Sequence, residues 1–210
     1  MKIEDALESG APPIAAILRG ITTEEAVAIG EALVDAGIGI IEVPFNSPDP
    51  AASITAMTEA LGDRAAIGGG TVTSIAIAET LANAGGSFMI SPNVDQAVIS
   101  RSIALGMDVL PGFMTPSEAF LAIEAGAHNL KLFPGSLLGS GYIGAIREVL
   151  PKETRIWAVG GIGAANIGEY RAAGLFGIGV GGGLYRPGHE ASVVGAKARE
   201  IIAAWNAATT

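Results

Sequence analysis

Apolar residues in this chain come mostly in short unbroken runs rather than in strict alternation. The runs lie at Ile14–Gly20, Ile38–Phe45, Ala65–Val72, Ser87–Asn93, Asp108–Met114, Asn129–Gly135, Arg155–Ile162 and Gly177–Leu184. Continuous runs of this length read as strands covered on both faces, as in a parallel sheet wrapped by helices. Helix-like segments of ordinary length lie between them. Thr23–Ala36 is led by Thr-Thr-Glu-Glu and Thr115–Ala125 by Thr-Pro-Ser-Glu, openings that look like N-caps with acids in the first turn. A short segment, Lys2–Glu8, precedes the first run, and His189–Ala207 closes the chain.

Glycine punctuates this pattern. Gly37, Gly85, Gly106, Gly126 and Gly174 each follow a helix-like run and precede an apolar one, where a left-handed C-cap is expected. Their separations of 48, 21, 20 and 48 residues fit one unit of about 20–24 residues with two double steps, a strand plus a helix. Eight such units imply an α/β chain closed into a (β/α)8 TIM barrel with a short N-terminal helix, one domain over residues 1–210. The alternative is an open doubly wound sheet. Gly177, Gly179 and Gly182 do match G-x-G-x-x-G, but they lie in the last strand, and no acidic residue follows about 20 positions later on a further strand.

Composition narrows the function classes. Charged residues make up only 16% of the chain and apolar residues 50%, which suggests surface hidden in an oligomer. The net charge of −9 argues against nucleic acid or an anionic membrane as the main partner, while leaving room for a small anionic substrate in a locally positive site. The absence of cysteine excludes disulfides and thiolate metal sites. No apolar run reaches the roughly 18 residues of a membrane span. The acidic N-terminal residues do not resemble a signal peptide, so the chain reads as cytoplasmic.

The chemistry centres on Lys131, which lies inside the run Leu130-Lys131-Leu132-Phe133. The other lysines, Lys2, Lys152 and Lys197, fall in segments that read as surface. A buried ammonium without a partner tends to lose its proton, and a neutral amine on a rigid strand suits Schiff-base chemistry on a carbonyl. A lysine paired structurally with a carboxylate is the competing explanation. Barrels of this kind place chemistry at the C-terminal ends of their strands, and there Arg19 and Glu42 accompany Lys131. Three charges converging in one barrel are a poor stability device, because a buried ion pair gains little over an apolar replacement. In this reading Lys131 attacks a ketone, Glu42 moves protons, Arg19 holds a carboxylate, and Thr71 offers it a hydroxyl. Phe133, two residues from Lys131, points to the same side of its strand and either walls the pocket or packs in the core. Gly160 and Gly161 after strand seven, with Gly182 and Gly183 after strand eight, suggest a backbone phosphate site. A short helix after strand eight could add its N-terminus. The alternative role for these glycines is tight turns. His128 and His189 are too few and too isolated to argue a metal site, and no cofactor is implied.

The segments Ala16-Ile17-Leu18-Arg19-Gly20, Ile41-Glu42-Val43-Pro44-Phe45-Asn46-Ser47-Pro48, Gly69-Gly70-Thr71-Val72, Ser91-Pro92-Asn93, Leu130-Lys131-Leu132-Phe133-Pro134 and Val159-Gly160-Gly161-Ile162 resemble the 2-keto-3-deoxy-6-phosphogluconate / 4-hydroxy-2-oxoglutarate aldolase family. The resemblance runs from about Pro13 to Gly188 with the motifs in order. It implies a class I, metal-independent lyase and a homotrimer. It also implies Lys131 and Glu42 as catalytic residues, with Arg19, Thr71, Pro92, Phe133 and Val159 lining the substrate site. Two departures point to the branch whose substrate is 2-dehydro-3-deoxy-6-phospho-D-galactonate, cleaved reversibly to pyruvate and D-glyceraldehyde 3-phosphate. Phosphogluconate enzymes of the family carry an arginine near the position of Asn46, and a threonine at the position of Val159. An apolar valine withdraws a hydrogen bond from one orientation of the C4 hydroxyl. Family members often show serine in the strand-eight turn. Here the turn is Gly181-Gly182-Gly183, leaving backbone alone to hold the phosphate. The alternatives are the sibling aldolase activity on phosphogluconate-type or unphosphorylated keto acids, and a non-catalytic barrel that senses a sugar phosphate.

Overall fold

The computed structural model describes residues 1–208. Its strands are β1 (Ile14–Ile17), β2 (Ile40–Pro44), β3 (Ala66–Gly70), β4 (Phe88–Ile90), β5 (Asp108–Leu110), β6 (Gly112–Phe113), β7 (Asn129–Leu132), β8 (Arg155–Val159) and β9 (Gly177–Val180). All observed pairings are parallel, in the order β5-β4-β3-β2-β1-β9-β8-β7-β6. β5 and β6 are two pieces of one strand, split at Pro111, which has no N–H to donate. The Pro111 carbonyl still accepts from the Lys131 N–H at 2.9 Å, carrying the ladder through the break. The fifth strand thus joins β4 on one side and β7 on the other, and the sheet closes into a (β/α)8 barrel.

Every predicted strand is found, but each is shorter than its apolar run. The C-terminal ends of the runs, among them Arg19, Thr71, Pro92 and Phe133, lie past the strand ends at the rim. The five punctuating glycines have φ values of 104°, 85°, 81°, 99° and 90°, the left-handed region where a Cβ is costly. The two double steps hide helices that end differently. α3 (Pro50–Leu61) ends at Gly62 with φ −65°, and α7 (Gly135–Arg147) ends at Glu148. The expected N-caps are present. At the start of α2 (Thr23–Ala36) Glu25 Oε1 accepts from the Thr22 N–H, and at the start of α6 (Pro116–Glu124) Thr115 Oγ1 accepts from the Glu118 N–H. The predicted short helix after the last strand is instead a turn, in which the N–H groups of Leu184 and Tyr185 both donate to the Gly181 carbonyl.

Two apolar layers hold the barrel. The outer one lies between strands and helices and includes Ile41, Val43, Ile67, Leu130 and Ile156. The inner one fills the barrel with Ala15, Ile40, Phe88, Ile90, Leu110 and Trp157, and α1 (Ile3–Glu8) stops its lower end with Ile3 and Ala6. The inner aromatics fit because glycines stand opposite them. A Cβ on Gly68 would meet the Phe88 ring at 2.6 Å, and one on Gly177 would meet the Trp157 ring at 2.5 Å. α1 is fastened by the Ile3 N–H to Asp108, by an ion pair between Glu4 and Arg155, and by the Met1 ammonium to the Gly62 carbonyl. Among the described residues no helix is long and apolar enough to cross a membrane.

Candidate active site

Strand parity decides which side chains enter the barrel. Residues two apart share a face, so Ile40 in the inner core brings Glu42 inward as well. Glu42 lies beside Ile17 of β1 and Gly68 of β3, and Lys131 lies beside Gly112 of β6 and Trp157 of β8. Glu42 is 1% exposed and Lys131 6%, in a layer just above the apolar core.

A glycine makes room for the acid. A Cβ on Gly70 would lie 1.6 Å from Glu42 Oε1 and 2.4 Å from its carboxyl carbon, so the carboxyl occupies the space where any other residue would put a side chain. The other oxygen, Oε2, is buried with no hydrogen-bond partner among the described residues. Burial pushes the Glu42 carboxyl above the usual carboxylate range, against the opposing pull of the Lys131 and Arg19 charges. Burial also drives the Lys131 amine below its ordinary value; Glu42 works against that shift and Arg19 adds to it. The amine and carboxyl therefore feel each other's charge, although no direct ion pair joins them among the described residues. Lys131 Nζ lies 4.7 Å from the centre of the Phe133 ring, so Phe133 borders the amine.

The other predicted residues surround this pair unevenly. Arg19 lies just past β1 and is exposed, which corrects its placement inside the first strand. The rim there faces solvent, and Arg19 Nη1 donates to Asn46 Oδ1 at 2.6 Å. Asn46, read from sequence only as a missing arginine, thus steadies the arginine that is present. Thr71 follows Gly70 with φ 59°, uncommon for a residue with a Cβ and costing on the order of 1 kcal/mol. Flanking ladder bonds, Phe45 N–H to Gly70 O and Val72 N–H to Ile90 O, hold it there. Pro92 lies against Gly112, the ladder neighbour of Lys131, where a Cβ would meet its carbonyl carbon at 2.5 Å.

A cavity of about 680 Å3 opens at the strand ends. Arg19, Phe133 and Val159 line it, as do Gly160, Gly161, Gly182 and Gly183. Lys131 and Glu42 are buried and do not line its wall; Phe133, which does, lies against the amine. Val159 fills the space above Gly179, where a Cβ would meet its Cγ2 at 2.7 Å. Gly160 and Gly161 have φ values of 97° and 76°, so the chain turns here in a way side chains resist. Sequence reading missed the side chain that holds this turn. Asn166 Oδ1 accepts from the Gly163 N–H and its Nδ2 donates to the Gly161 carbonyl, both at 2.9 Å. It also missed Tyr185 and Arg186, which line the cavity beyond the glycines. Tyr185 is buried and its hydroxyl donates to Glu25 at 2.9 Å; burial and this bond hold its pKa well above the usual phenol value. His128 is exposed, and His189 Nδ1 accepts from the Arg186 N–H. Among the described residues no cluster of His, Asp or Glu could hold a metal ion.

A sequence profile described as KDPG and KHG aldolase matches residues 3–192. A protein of Rhizobium meliloti (strain 1021) named "Probable 2-dehydro-3-deoxy-6-phosphogalactonate aldolase" is 45% identical over 195 residues, covering 93% of this chain and 92% of its own. The "2-dehydro-3-deoxy-6-phosphogalactonate aldolase" of Escherichia coli (strain K12) is 42% identical over 196 residues, covering 93% and 96%. A solved structure described as "Native KDPGal structure" superposes with a TM-score of 0.92 at 42% identity, covering 93% of this chain and 95% of that one. The barrel, the buried lysine with its acid and these likenesses agree: the chain belongs to the KDPG and KHG aldolase family and is a carbon–carbon lyase.

Proposed function

We propose that this aldolase works through a Schiff base on Lys131 and reversibly cleaves 2-dehydro-3-deoxy-6-phospho-D-galactonate to pyruvate and D-glyceraldehyde 3-phosphate. The observation that carries this reading is the pair of desolvated groups, a lysine amine driven down and a carboxyl driven up in one buried layer. The neutral amine adds to the C2 ketone; Glu42, as the acid, gives its proton to the departing hydroxyl, and loss of water leaves the iminium and the Glu42 carboxylate. Glu42, as carboxylate, takes the proton of the C4 hydroxyl while the C3–C4 bond breaks. The bonding electrons pass into the iminium, giving an enamine and free aldehyde. Glu42 returns that proton to C3, and water then hydrolyses the iminium to pyruvate and the neutral amine, its released proton going back to Glu42. In this reading Arg19, steadied by Asn46, holds the C1 carboxylate and the Thr71 hydroxyl gives it a second donor. Phe133 and Pro92 wall the reacting end, and the Gly160–Gly161 and Gly182–Gly183 turns receive the phosphate.

The relatives named for the galactonate substrate support the epimer assignment, as does Val159, whose methyls offer no hydrogen bond to a C4 hydroxyl. We also propose a homotrimer. Its support is apolar surface on consecutive outer helices, with Phe120 46% and Leu137 70% exposed on a chain of sparse charge.

Borohydride added with pyruvate is expected to leave a covalent adduct on Lys131, found by peptide mass spectrometry and absent in Lys131→Ala; an adduct elsewhere defeats the mechanism. Only the neutral amine attacks, so imine formation should rise with pH through an apparent pKa below 10.5. Cleavage needs the ionised acid and should fall as pH drops through an apparent pKa above 4.5, a limb that Glu42→Gln removes with most of the activity.

Gly70→Ala should lower kcat by roughly a hundredfold or more, by displacing the acid with little change in KM. Glu42→Asp shortens the acid and relieves the clash. In a double-mutant cycle it should therefore cost clearly less in the Gly70→Ala background than alone; additive losses would show that Gly70 does not position the carboxyl.

Side-by-side assays of the two C4 epimers should favour the galactonate form, and Val159→Thr should narrow the preference by about tenfold. Equal rates in the unmodified protein would overturn the epimer assignment. Sedimentation equilibrium should return three times the 21.1 kDa chain mass, and Phe120→Glu should shift it toward monomer.

A further inference from the structure

The turn after β9 has no side chain to offer an anion, since Gly181, Gly182 and Gly183 are all glycine. Backbone N–H groups alone make a shallow cradle, and the protein around it carries a net charge of −9 that repels a phosphorylated substrate. Yet among the described residues the cavity bordered by this turn has no Asp or Glu in its lining and contains two arginines, Arg19 and Arg186. Arg19 is engaged with Asn46 at the β1–β2 rim. Arg186 lies on the side of the glycines, and its Nε donates to the Gly182 carbonyl at 3.1 Å. That bond ties the guanidinium to the turn while its terminal nitrogens stay available. Among the described residues Arg186 pairs with no carboxylate.

The backbone around Arg186 is fixed on both sides. Before it, Tyr185 is buried and bonded to Glu25 in the first turn of α2. After it, Pro187 packs on Gly20, where a Cβ would come within 2.9 Å of the proline ring, and the Arg186 N–H donates to His189. An exposed cation held this closely, with no acidic partner, is arranged for a ligand rather than for stability.

We propose that Arg186 is a specificity-determining residue that recognises the phosphate monoester end of the substrate, its guanidinium completing the site that the Gly182 and Gly183 amides begin. A guanidinium fits phosphate through parallel N–H donors, and a charged contact of this kind is worth about ten- to a hundredfold in binding. The proposal rests on the aldolase reading above.

The test uses the aldol direction, with pyruvate and either D-glyceraldehyde 3-phosphate or D-glyceraldehyde as acceptor, on the unmodified protein, Arg186→Ala and Arg186→Lys. The expected result is a fall of about tenfold or more in the ratio of kcat/KM for phosphorylated over unphosphorylated acceptor in Arg186→Ala, carried by KM, with partial recovery in Arg186→Lys. Inhibition by inorganic phosphate should weaken in parallel. An unchanged ratio overturns the proposal, whether both acceptors suffer equally or neither does. The borohydride adduct with pyruvate, which needs no phosphate, separates the two failures. Without it on Lys131 in the unmodified protein, the aldolase reading itself falls; with it and an unchanged ratio, only the role of Arg186 falls.

Discussion

The site depends on taking an amine and a carboxylic acid out of water together. In the barrel interior each charge loses hydration that its partner only partly replaces, so the amine is driven down and the acid up. A fold selected for stability alone would put apolar side chains at both positions. The linkage follows from the directions of the shifts. Between the lowered value of Lys131 and its ordinary 10.5, the unfolded chain binds more protons than the folded one, so stability gains as pH rises through that window. Glu42 acts the other way. The folded chain holds its proton longer, so its contribution is greatest at low pH and declines as pH rises from 4.5 through the raised value. Both effects express one constraint, a reactive pair kept with little solvent.

The rest of the barrel serves that constraint. Strand parity turns Glu42 inward, Gly70 leaves the volume its carboxyl occupies, and Phe133 borders both the amine and the cavity. Below, Phe88 and Trp157 fill the interior against glycines that admit them. Above, the rim loops are locked by bonds that no strand requires, such as Arg19 to Asn46 and Asn166 to the Gly161 turn.

The fold could be read because its signals are local. A left-handed glycine after a helix, or an acid in a capping box, is dictated by a few neighbouring residues. Lys131 and Glu42 were readable for a related reason: a charge in an apolar run is conspicuous without knowing what it touches. Asn46, Asn166 and Arg186 gave no such signal. Each is a polar residue in a rim loop, and its role comes from chain that lies from 4 to 27 residues away. Arg19 was legible in type but not in setting, because the last ladder bond of its run is made by Leu18, one residue before it. The missing helix after β9 is a similar case. Three glycines in a row permit a turn and do little to propagate one.

The stopper formed by α1 has a kinetic corollary. With the floor of the barrel shut by Ile3 and Ala6, whatever enters at the strand ends must leave by the same doorway. On the proposed mechanism one fragment stays bonded to Lys131, which is buried below the opening. By the same mechanism the aldehyde is free once the C3–C4 bond breaks while the other fragment is still held covalently, so the order of departure is set by that covalent link and both leave through the single doorway.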